Sequence, residues 1–274
     1  MEIGHYYTLE IAREVDFGMY LSSELGDILL PKKYLPEGIK VGDAIQVFVY
    51  KDTEDRLIAT TETALGEVGD IVSLEVIDKT PHGAFMHWGL IKDLFVPKKE
   101  QPQPFNVGDR HIVRICLDHK TDRLIGTGKI NAFLTKKIED LREGDEVSTL
   151  IYAKSDLGFK AVVNQKYSGL FYANEVYDSL SMGDEKTAYI KRIREDGKID
   201  LALKPGGKKS IDSDMAVILD LLKLNNNKLP YHDKSSPEEI KYFFKLSKKA
   251  FKKAVGGLLK QRLIKLTDEG IERV

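Results

Sequence analysis

The chain has 274 residues, 42% of them apolar and 31% charged, with a formal net charge of -1. This length and composition predict two or three globular domains and exclude a disordered or fibrous protein. No apolar run approaches the roughly 18 residues of a membrane span, and residues 1–10 do not resemble a signal peptide, so we expect a cytoplasmic protein without membrane contact.

A sequence repeat runs through the first 203 residues. The segment Ile3–Ile11 returns as Val68–Val76 in apolar pattern as well as identity, and residues 55–58, Asp-Arg-Leu-Ile, return at 122–125. Gly-Asp pairs recur at 42–43, 108–109 and 183–184. Because an internal repeat indicates one structural unit used several times, we predict three domains, at residues 1–62, 66–130 and 142–203.

Each repeat has the pattern of a small β domain. Val72, Leu74 and Val76 alternate with polar residues, which is the period of a half-buried strand. Turn residues between such segments indicate about five short strands per unit. Closing five strands into an OB-type barrel removes most of the exposed strand edge, so we predict three tandem OB barrels. The alternative is a sandwich of fewer, larger domains. The single cysteine, Cys116, excludes an internal disulfide and is expected to fill a strand position.

Two flat side chains recur three residues apart on either side of a glycine. A glycine there permits a bend that brings both rings to one surface, where they can stack on nucleobases while nearby cations hold phosphates. The alternative is that the rings fill the barrels, but their recurrence at one offset favours the surface interpretation. The predicted RNA-binding residues of the first unit are Phe17, Tyr20 and Arg56, and those of the second are His82, Phe85 and Arg123.

These segments resemble S1-type RNA-binding OB domains, since each is followed by Leu-Leu-Pro or Phe-Val-Pro at 29–31 and 95–97 and then by the Gly-Asp and Asp-Arg-Leu-Ile motifs. Together with the C-terminal segment described below, the chain resembles the conserved virulence factor B family over essentially its full length. This resemblance implies tandem S1-type domains followed by a winged helix. It also implies RNA contacts from the aromatic pair and from a basic residue near the last strand. The histidine common after the third strand of such domains is replaced by Pro-Lys-Lys at 31–33 and 97–99.

The third unit departs from the first two. Leu157 and Lys160 stand where the other units have flat residues, and Lys198 occupies the late basic position, with Arg192 and Arg194 close by. We therefore expect this barrel either to bind backbone charge without stacking or only to pack against its neighbours.

The C-terminal segment predicts a winged-helix domain at residues 211–274. Residues 204–210 have the composition of a connector, and we predict a first helix that starts after Asp212 or Ser213 and ends at residues 225–227. Ser236 and Ser247 are expected to cap two further helices, followed by a strand at 263–266, a turn at 268–270 and a return strand at 271–274. A glycine pair at 256–257 weakens the third helix unless close packing requires it. The basic side of that helix carries Lys248, Lys249, Lys252 and Lys253.

The charge distribution supports a nucleic-acid partner. Residues 204–274 contain 16 Lys and Arg against nine Asp and Glu, which fits a basic module that approaches a polyanion; the alternative is a solvated lysine-rich face. No phosphate-binding glycine loop, metal motif or convergent catalytic set stands out, so we expect a non-enzymatic protein without cofactor or metal. We predict a bacterial post-transcriptional regulator that binds single-stranded RNA on its barrels. Its winged helix either contacts duplex nucleic acid or a protein, or is purely structural. The alternative is a DNA-binding transcriptional regulator acting through the winged helix.

Overall fold

The computed structural model describes residues 1–176, 179–206 and 208–274, and for residues 208–210 it describes the backbone. The chain forms two compact units, Met1–Leu134 and Thr135–Val274. Each unit contains its own hydrophobic cores. None of the helices in the described part of the chain is long and apolar enough to cross a membrane.

The first unit contains two five-stranded closed barrels. The strands of barrel 1 are β1 (His5–Val15), β2 (Gly18–Leu21), β3 (Ile28–Pro31), β4 (Ala44–Lys51) and β5 (Leu57–Thr60). The strands of barrel 2 are β6 (Ile71–Thr80), β7 (Gly83–His87), β8 (Leu94–Pro97), β9 (Arg110–Asp118) and β10 (Arg123–Thr127). A short 3-10 turn follows the third strand in both, at Lys32–Tyr34 and Lys98–Glu100.

The second unit contains barrel 3 and the C-terminal domain. The strands of barrel 3 are β11 (Glu146–Ser155), β12 (Gly158–Val163), β13 (Tyr167–Tyr172), β14 (Glu185–Ile193) and β15 (Ile199–Ala202). The C-terminal elements are α1 (Lys208–Leu224), β16 (Lys228–Leu229), α2 (Pro237–Phe244), α3 (Lys248–Lys260), β17 (Ile264–Thr267) and β18 (Gly270–Arg273).

All three barrels have the same strand order, in which the first strand pairs with the second and fourth, and the third pairs with the fifth. Neighbours are antiparallel except for the third and fifth strands, which are parallel. This is the predicted fold class, three OB-type barrels and a winged helix, and the alternative of larger sandwiches is wrong. Closure follows from the alternating pattern, because the inward residues of each sheet fill one small core.

The second and third strands of each barrel approach closely at a glycine. A Cβ atom added to Gly18 would lie 2.2 Å from the backbone oxygen of Leu30. The corresponding distances are 2.4 Å from Gly83 to the oxygen of Val96 and 2.0 Å from Gly158 to that of Phe171. No side chain fits in these gaps, so the glycine that the sequence places between the flat residues is required by the backbone itself.

Barrels 1 and 2 share part of one core. Trp88 of barrel 2 is buried, and its ring lies edge-on to Phe48 of barrel 1 with the centroids 5.6 Å apart. The Trp88 indole N–H donates to the backbone oxygen of Lys92 at 2.6 Å, so its polar atom is satisfied. Cys116 is half-buried in β9, and burial raises the pKa of its thiol. Its predicted strand position is confirmed.

The C-terminal domain has the expected three helices and hairpin, with two differences. Helix α1 begins at Lys208, earlier than predicted, because Ile211 packs on the domain core and no helix-breaking residue separates it from Lys208. The predicted connector is therefore partly helical, and Gly207 lies outside the described residues. The additional strand β16 pairs with β18, so the sheet has three strands. Ser236 makes the capping box with Glu239, and the Ser247 hydroxyl accepts from the Ala250 N–H, as predicted.

The two glycines of α3 have different surroundings. A Cβ atom at Gly257 would lie 2.6 Å from the Met215 sulfur on α1, so close helix packing accounts for this glycine. Gly256 faces open space and has no neighbouring atom within 4 Å of such a Cβ.

We expect Gly256→Ala to stabilise α3 by about 1 kcal/mol, because alanine removes the backbone entropy cost of glycine in a helix. Gly257→Ala should bring no such gain, since its methyl group would displace Met215. Hydrogen–deuterium exchange of the α3 amides measures both effects locally. Equal protection in the two variants would contradict this assignment.

Barrel 2 contains a buried histidine whose pKa is expected to make the stability of this barrel depend on pH. The His111 ring stacks on Phe105 with the centroids 3.7 Å apart. Burial lowers the pKa of His111, and the nearby Asp109 carboxylate opposes this only in part. Below its ordinary pKa of about 6.5, the histidine is therefore protonated more readily in the unfolded chain than in the folded one.

We expect the contribution of neutral His111 to the stability of barrel 2 to be complete above about pH 6.5 and to be lost as the pH falls below this value. In His111→Phe, the change in melting temperature between about pH 7.5 and about pH 5.5 should be smaller than in the wild type. Thermal unfolding followed by Trp88 fluorescence measures this, since Trp88 lies in the barrel 2 core. An identical pH response in the variant would show that other groups are responsible.

Candidate nucleic-acid interface

The two flat residues of barrel 1 lie together on its outer surface. Phe17 is 58% exposed in the turn between β1 and β2, and Tyr20 is half-buried on β2. Their ring centroids are 6.5 Å apart, and the rings are nearly perpendicular. Neither ring belongs to the barrel core. The alternative that these residues fill the barrel is therefore wrong for this pair. We call the two rings, Phe17 and Tyr20, the barrel 1 platform.

A bulge in β1 brings a cation onto this platform. The register of β1 against β2 shifts between Ile11 and Arg13, and the Arg13 guanidinium carbon lies 3.9 Å from the centre of the Tyr20 ring. The Arg13 Nε also lies 3.4 Å from the Asp27 carboxylate. One face of Tyr20 is thus occupied by a guanidinium group, which leaves the exposed Phe17 as the more available stacking surface.

The corresponding surface of barrel 2 has a different composition. His82 is exposed and Phe85 is half-buried, but the ring that contacts Phe85 is Phe95 on β8, with the centroids 5.0 Å apart. Asp78 pairs with Phe85 across the strands. Burial raises the pKa of Asp93, which precedes β8, and the Asp78 charge raises it further. The barrel 2 platform, Phe85 and Phe95, therefore has acidic neighbours.

Lysine pairs lie next to the first flat residue in both barrels. The Lys32 N–H donates to the backbone oxygen of Phe17 at 2.9 Å, and the Lys98 N–H donates to that of His82 at 2.8 Å. Both lysines and their successors, Lys33 and Lys99, are exposed. In barrel 3 the same backbone bond comes from the N–H of Ala173, so that barrel has no lysine pair there.

The two predicted arginines are bound to carboxylates. Arg56 contacts Asp52 at 2.7 Å and Glu54 at 2.9 Å within its own turn. Arg123 of barrel 2 makes two hydrogen bonds, at 2.6 and 2.7 Å, to Asp55 of barrel 1. These bonds hold the pKa of Asp55 below its ordinary value. Arg123 therefore joins the two barrels, which its position in the sequence repeat did not indicate.

Two of the four predicted cations of barrel 3 are paired with a carboxylate. Lys160 and Arg192 are exposed, whereas Arg194 and Lys198 both contact Asp196, at 2.9 and 3.3 Å. Leu157 is 64% exposed at the position of the first flat residue. This surface can attract phosphate but has no exposed pair of rings at the two platform positions.

Helix α3 presents its basic side to solvent. Lys249, Lys252 and Lys253 are exposed and Lys248 is half-buried, while Phe251 and Leu258 point into the core. Within the ranges that the structure describes, these four lysines form no ion pair. The hairpin β17–β18 is different, because Glu272 binds Lys228 at 2.7 Å and Lys265 at 2.9 Å.

Three components of the surface were missed by sequence reasoning: Arg13, Phe95 and the position of the exposed lysine pairs beside the first flat residue. The sequence offset that revealed the flat residues also relates Arg13 to Asp78, and the match of residues 29–31 to 95–97, one residue longer, relates Leu29 to Phe95, so a signal was present. No group of three or more histidine, cysteine or acidic side chains suited to a metal occurs among the described residues.

Family models match most of the chain. An S1 domain model matches residues 3–62 and 68–129, and a CvfB-like winged helix domain model matches residues 216–272. Both are nucleic-acid-binding domain types. The matches cover barrels 1 and 2 and the C-terminal domain.

Relatives align along nearly the whole chain. An uncharacterized Bacillus subtilis protein, YitL, is 29% identical over 268 residues, covering 95% of this chain and 90% of the relative. Conserved virulence factor B of Staphylococcus epidermidis is 26% identical over 252 residues, covering 87% and 85%. A Streptococcus pneumoniae crystal structure, described as a multidomain protein with nucleic acid binding domains, is 25% identical and covers 99% and 98%, with a TM-score of 0.45.

Proposed function

Given that the chain belongs to the conserved virulence factor B family, we propose that it is a non-enzymatic, cytoplasmic regulator that binds single-stranded RNA. Bases stack on the barrel 1 platform, and phosphates bind the adjacent lysines. The observation that carries this proposal is the exposure of Phe17 beside Tyr20, outside the core and next to Lys32. Stacking on such rings accepts any base, so this contact gives affinity rather than sequence specificity.

The phosphate contacts of barrels 1 and 2 are assigned to the lysine pairs, with Arg56 and Arg123 in a secondary role. Both arginines are already neutralised by carboxylates, and a phosphate would have to displace these partners. The lysine pairs are exposed, and their backbone is fixed to Phe17 and His82. On barrel 2, His82 offers a flat surface beside such a pair, while the acidic neighbours of Phe85 disfavour phosphate there.

Barrel 3 and the winged helix add charge without the paired platform. Lys160 and Arg192 are the more available cations of barrel 3, because Arg194 and Lys198 share Asp196. The exposed lysines of α3 suit phosphate contacts of either a single strand or a duplex. These contacts extend the binding surface and increase its dependence on salt.

Replacing both platform rings in Phe17→Ala/Tyr20→Ala should weaken binding of a labelled single-stranded RNA. Losing one stacked base costs about 1 to 3 kcal/mol, which corresponds to an affinity loss of about 5- to 150-fold. Fluorescence anisotropy with the full chain measures the dissociation constant. Val41→Ala is the control, because it removes an exposed apolar side chain from the same barrel. Wild-type RNA affinity in a folded double variant would refute the stacking proposal.

Replacing the first lysine pair in Lys32→Ala/Lys33→Ala should make RNA binding less sensitive to salt. Each phosphate contact to a single strand contributes about 0.7 to the slope of log affinity against log salt, so the slope should fall by about 1.4. Titrations at several salt concentrations give this slope. Lys40→Ala, an exposed lysine outside the pair, should leave it nearly unchanged. If the double variant retains the full slope, the phosphates bind elsewhere.

The second candidate function is DNA-binding regulation through the winged helix, favoured by the exposed lysines on α3. A titration with single-stranded RNA and duplex DNA of equal length separates the two. Tighter binding of the duplex, lost in Lys252→Ala/Lys253→Ala but not in Phe17→Ala, would favour the DNA regulator.

A further inference from the structure

Barrel 1 contains an example of a guanidinium group held by a ring and a carboxylate. Arg13 lies over Tyr20 at 3.9 Å, and its Nε is 3.4 Å from Asp27. The ring attracts the cation through its π face, and the carboxylate accepts from the guanidinium Nε–H. We call a ring and a carboxylate in this arrangement the arginine cradle.

Barrel 2 has both components of an arginine cradle, the ring and the carboxylate. Asp78 pairs with Phe85 as Arg13 pairs with Tyr20, and each follows the same bulge in the first strand. Asp93 immediately precedes β8, as Asp27 immediately precedes β3. The ring and the carboxylate are thus present at equivalent positions, but an aspartate stands where barrel 1 has its arginine.

The exchange reverses the local charge. In the described part of the chain, neither Asp78 nor Asp93 forms an ion pair. The Asp78 carboxylate accepts a hydrogen bond from the Lys79 backbone N–H at 2.7 Å. Burial raises the pKa of Asp93 and Asp78 raises it further, with His87 opposing them. A ring flanked by two carboxylates repels phosphate and attracts a cation.

A guanidinium group suits this surface better than a metal ion. The acidic and histidine side chains here do not form a metal-binding group among the described residues. The two rings, Phe85 and Phe95, offer a flat apolar surface, and guanidinium is planar, weakly hydrated and able to bind carboxylates with two N–H groups. Ile77 and Ile91, one and two residues before Asp78 and Asp93 in sequence, are 42% and 62% exposed.

We propose that barrel 2 binds an arginine side chain from a basic segment of a partner protein, with the guanidinium on Phe85 beside Asp78 and Asp93. This site goes beyond RNA binding and does not depend on it. Phe85 then binds a cation of the partner protein, while the RNA contacts of the unit lie on the barrel 1 platform, on His82 and at the lysine pairs.

The test is fluorescence anisotropy of the full chain with a labelled Gly-Arg repeat peptide and with the same peptide carrying citrulline, which keeps the shape of arginine without its charge. In Asp78→Arg, the protein's own guanidinium should fill the cradle as Arg13 does in barrel 1. Asp93→Asn removes the carboxylate of the cradle. Each variant should lose about tenfold in affinity for the arginine peptide, and the citrulline peptide should bind the wild type about tenfold more weakly.

Asp27→Asn is the matched control, because it removes the equivalent carboxylate from a cradle that Arg13 already occupies. An equal loss in Asp27→Asn and Asp93→Asn would indicate only general attraction to an acidic surface and would overturn the proposal. Equal binding of the two peptides would also overturn it. Melting temperatures confirm folding, and Asp93→Asn provides a test if Asp78→Arg is unstable. RNA affinity should be kept or increased in Asp78→Arg, since a negative charge is replaced by a positive one. The RNA proposal and the arginine site can therefore fail separately.

Discussion

The surfaces described above depend on the close approach of the second and third strands of each barrel. The glycine that begins the second strand faces the backbone of the third strand, and a single methyl group there would collide with a carbonyl oxygen. This contact also fixes what lies beside it. The residue before the glycine, such as Phe17, is held outside the barrel, and its carbonyl accepts the N–H of Lys32. The ring and the lysine to which the RNA proposal assigns stacking and phosphate binding are thereby positioned by one backbone constraint.

The same scaffold carries different chemistry in each barrel. One cross-strand pair changes from Arg13 and Tyr20 to Asp78 and Phe85, and then to Ala153 and Lys160 in barrel 3. Backbone hydrogen bonds and core residues keep the barrel closed, so these outward positions can change without loss of the fold. A cation on a ring, a ring between acids and a lone cation have different ligand preferences. Similarity between the repeats therefore specifies the fold, and under the two proposals the differences at this pair distinguish their ligands.

The sequence predicted the barrels and the winged helix because their signals are local or periodic. Alternation, turn residues, the Ser236 capping box and the repeat offset all act within a few residues or recur at fixed spacing. Some of the contacts that were missed join residues far apart in sequence, such as the bonds between Arg123 and Asp55. The start of α1 was also misplaced, because packing of Ile211 on the domain core extends the helix beyond its local signals.

The joint between barrels 1 and 2 uses side chains that a sequence repeat would assign to ligand binding. Arg123 binds Asp55, and the ammonium group of Lys92 donates to the backbone oxygens of Lys51 and Asp52 at 2.8 and 2.7 Å. Burial lowers the pKa of Lys92, and this cost is offset by its two carbonyl partners. Together with the packing of Trp88 on barrel 1, these bonds make the first two barrels one unit. Under the two proposals, a surface for nucleobases and a surface for arginine are then held in a fixed relation, so RNA and a basic protein segment can bind the same unit at separate places.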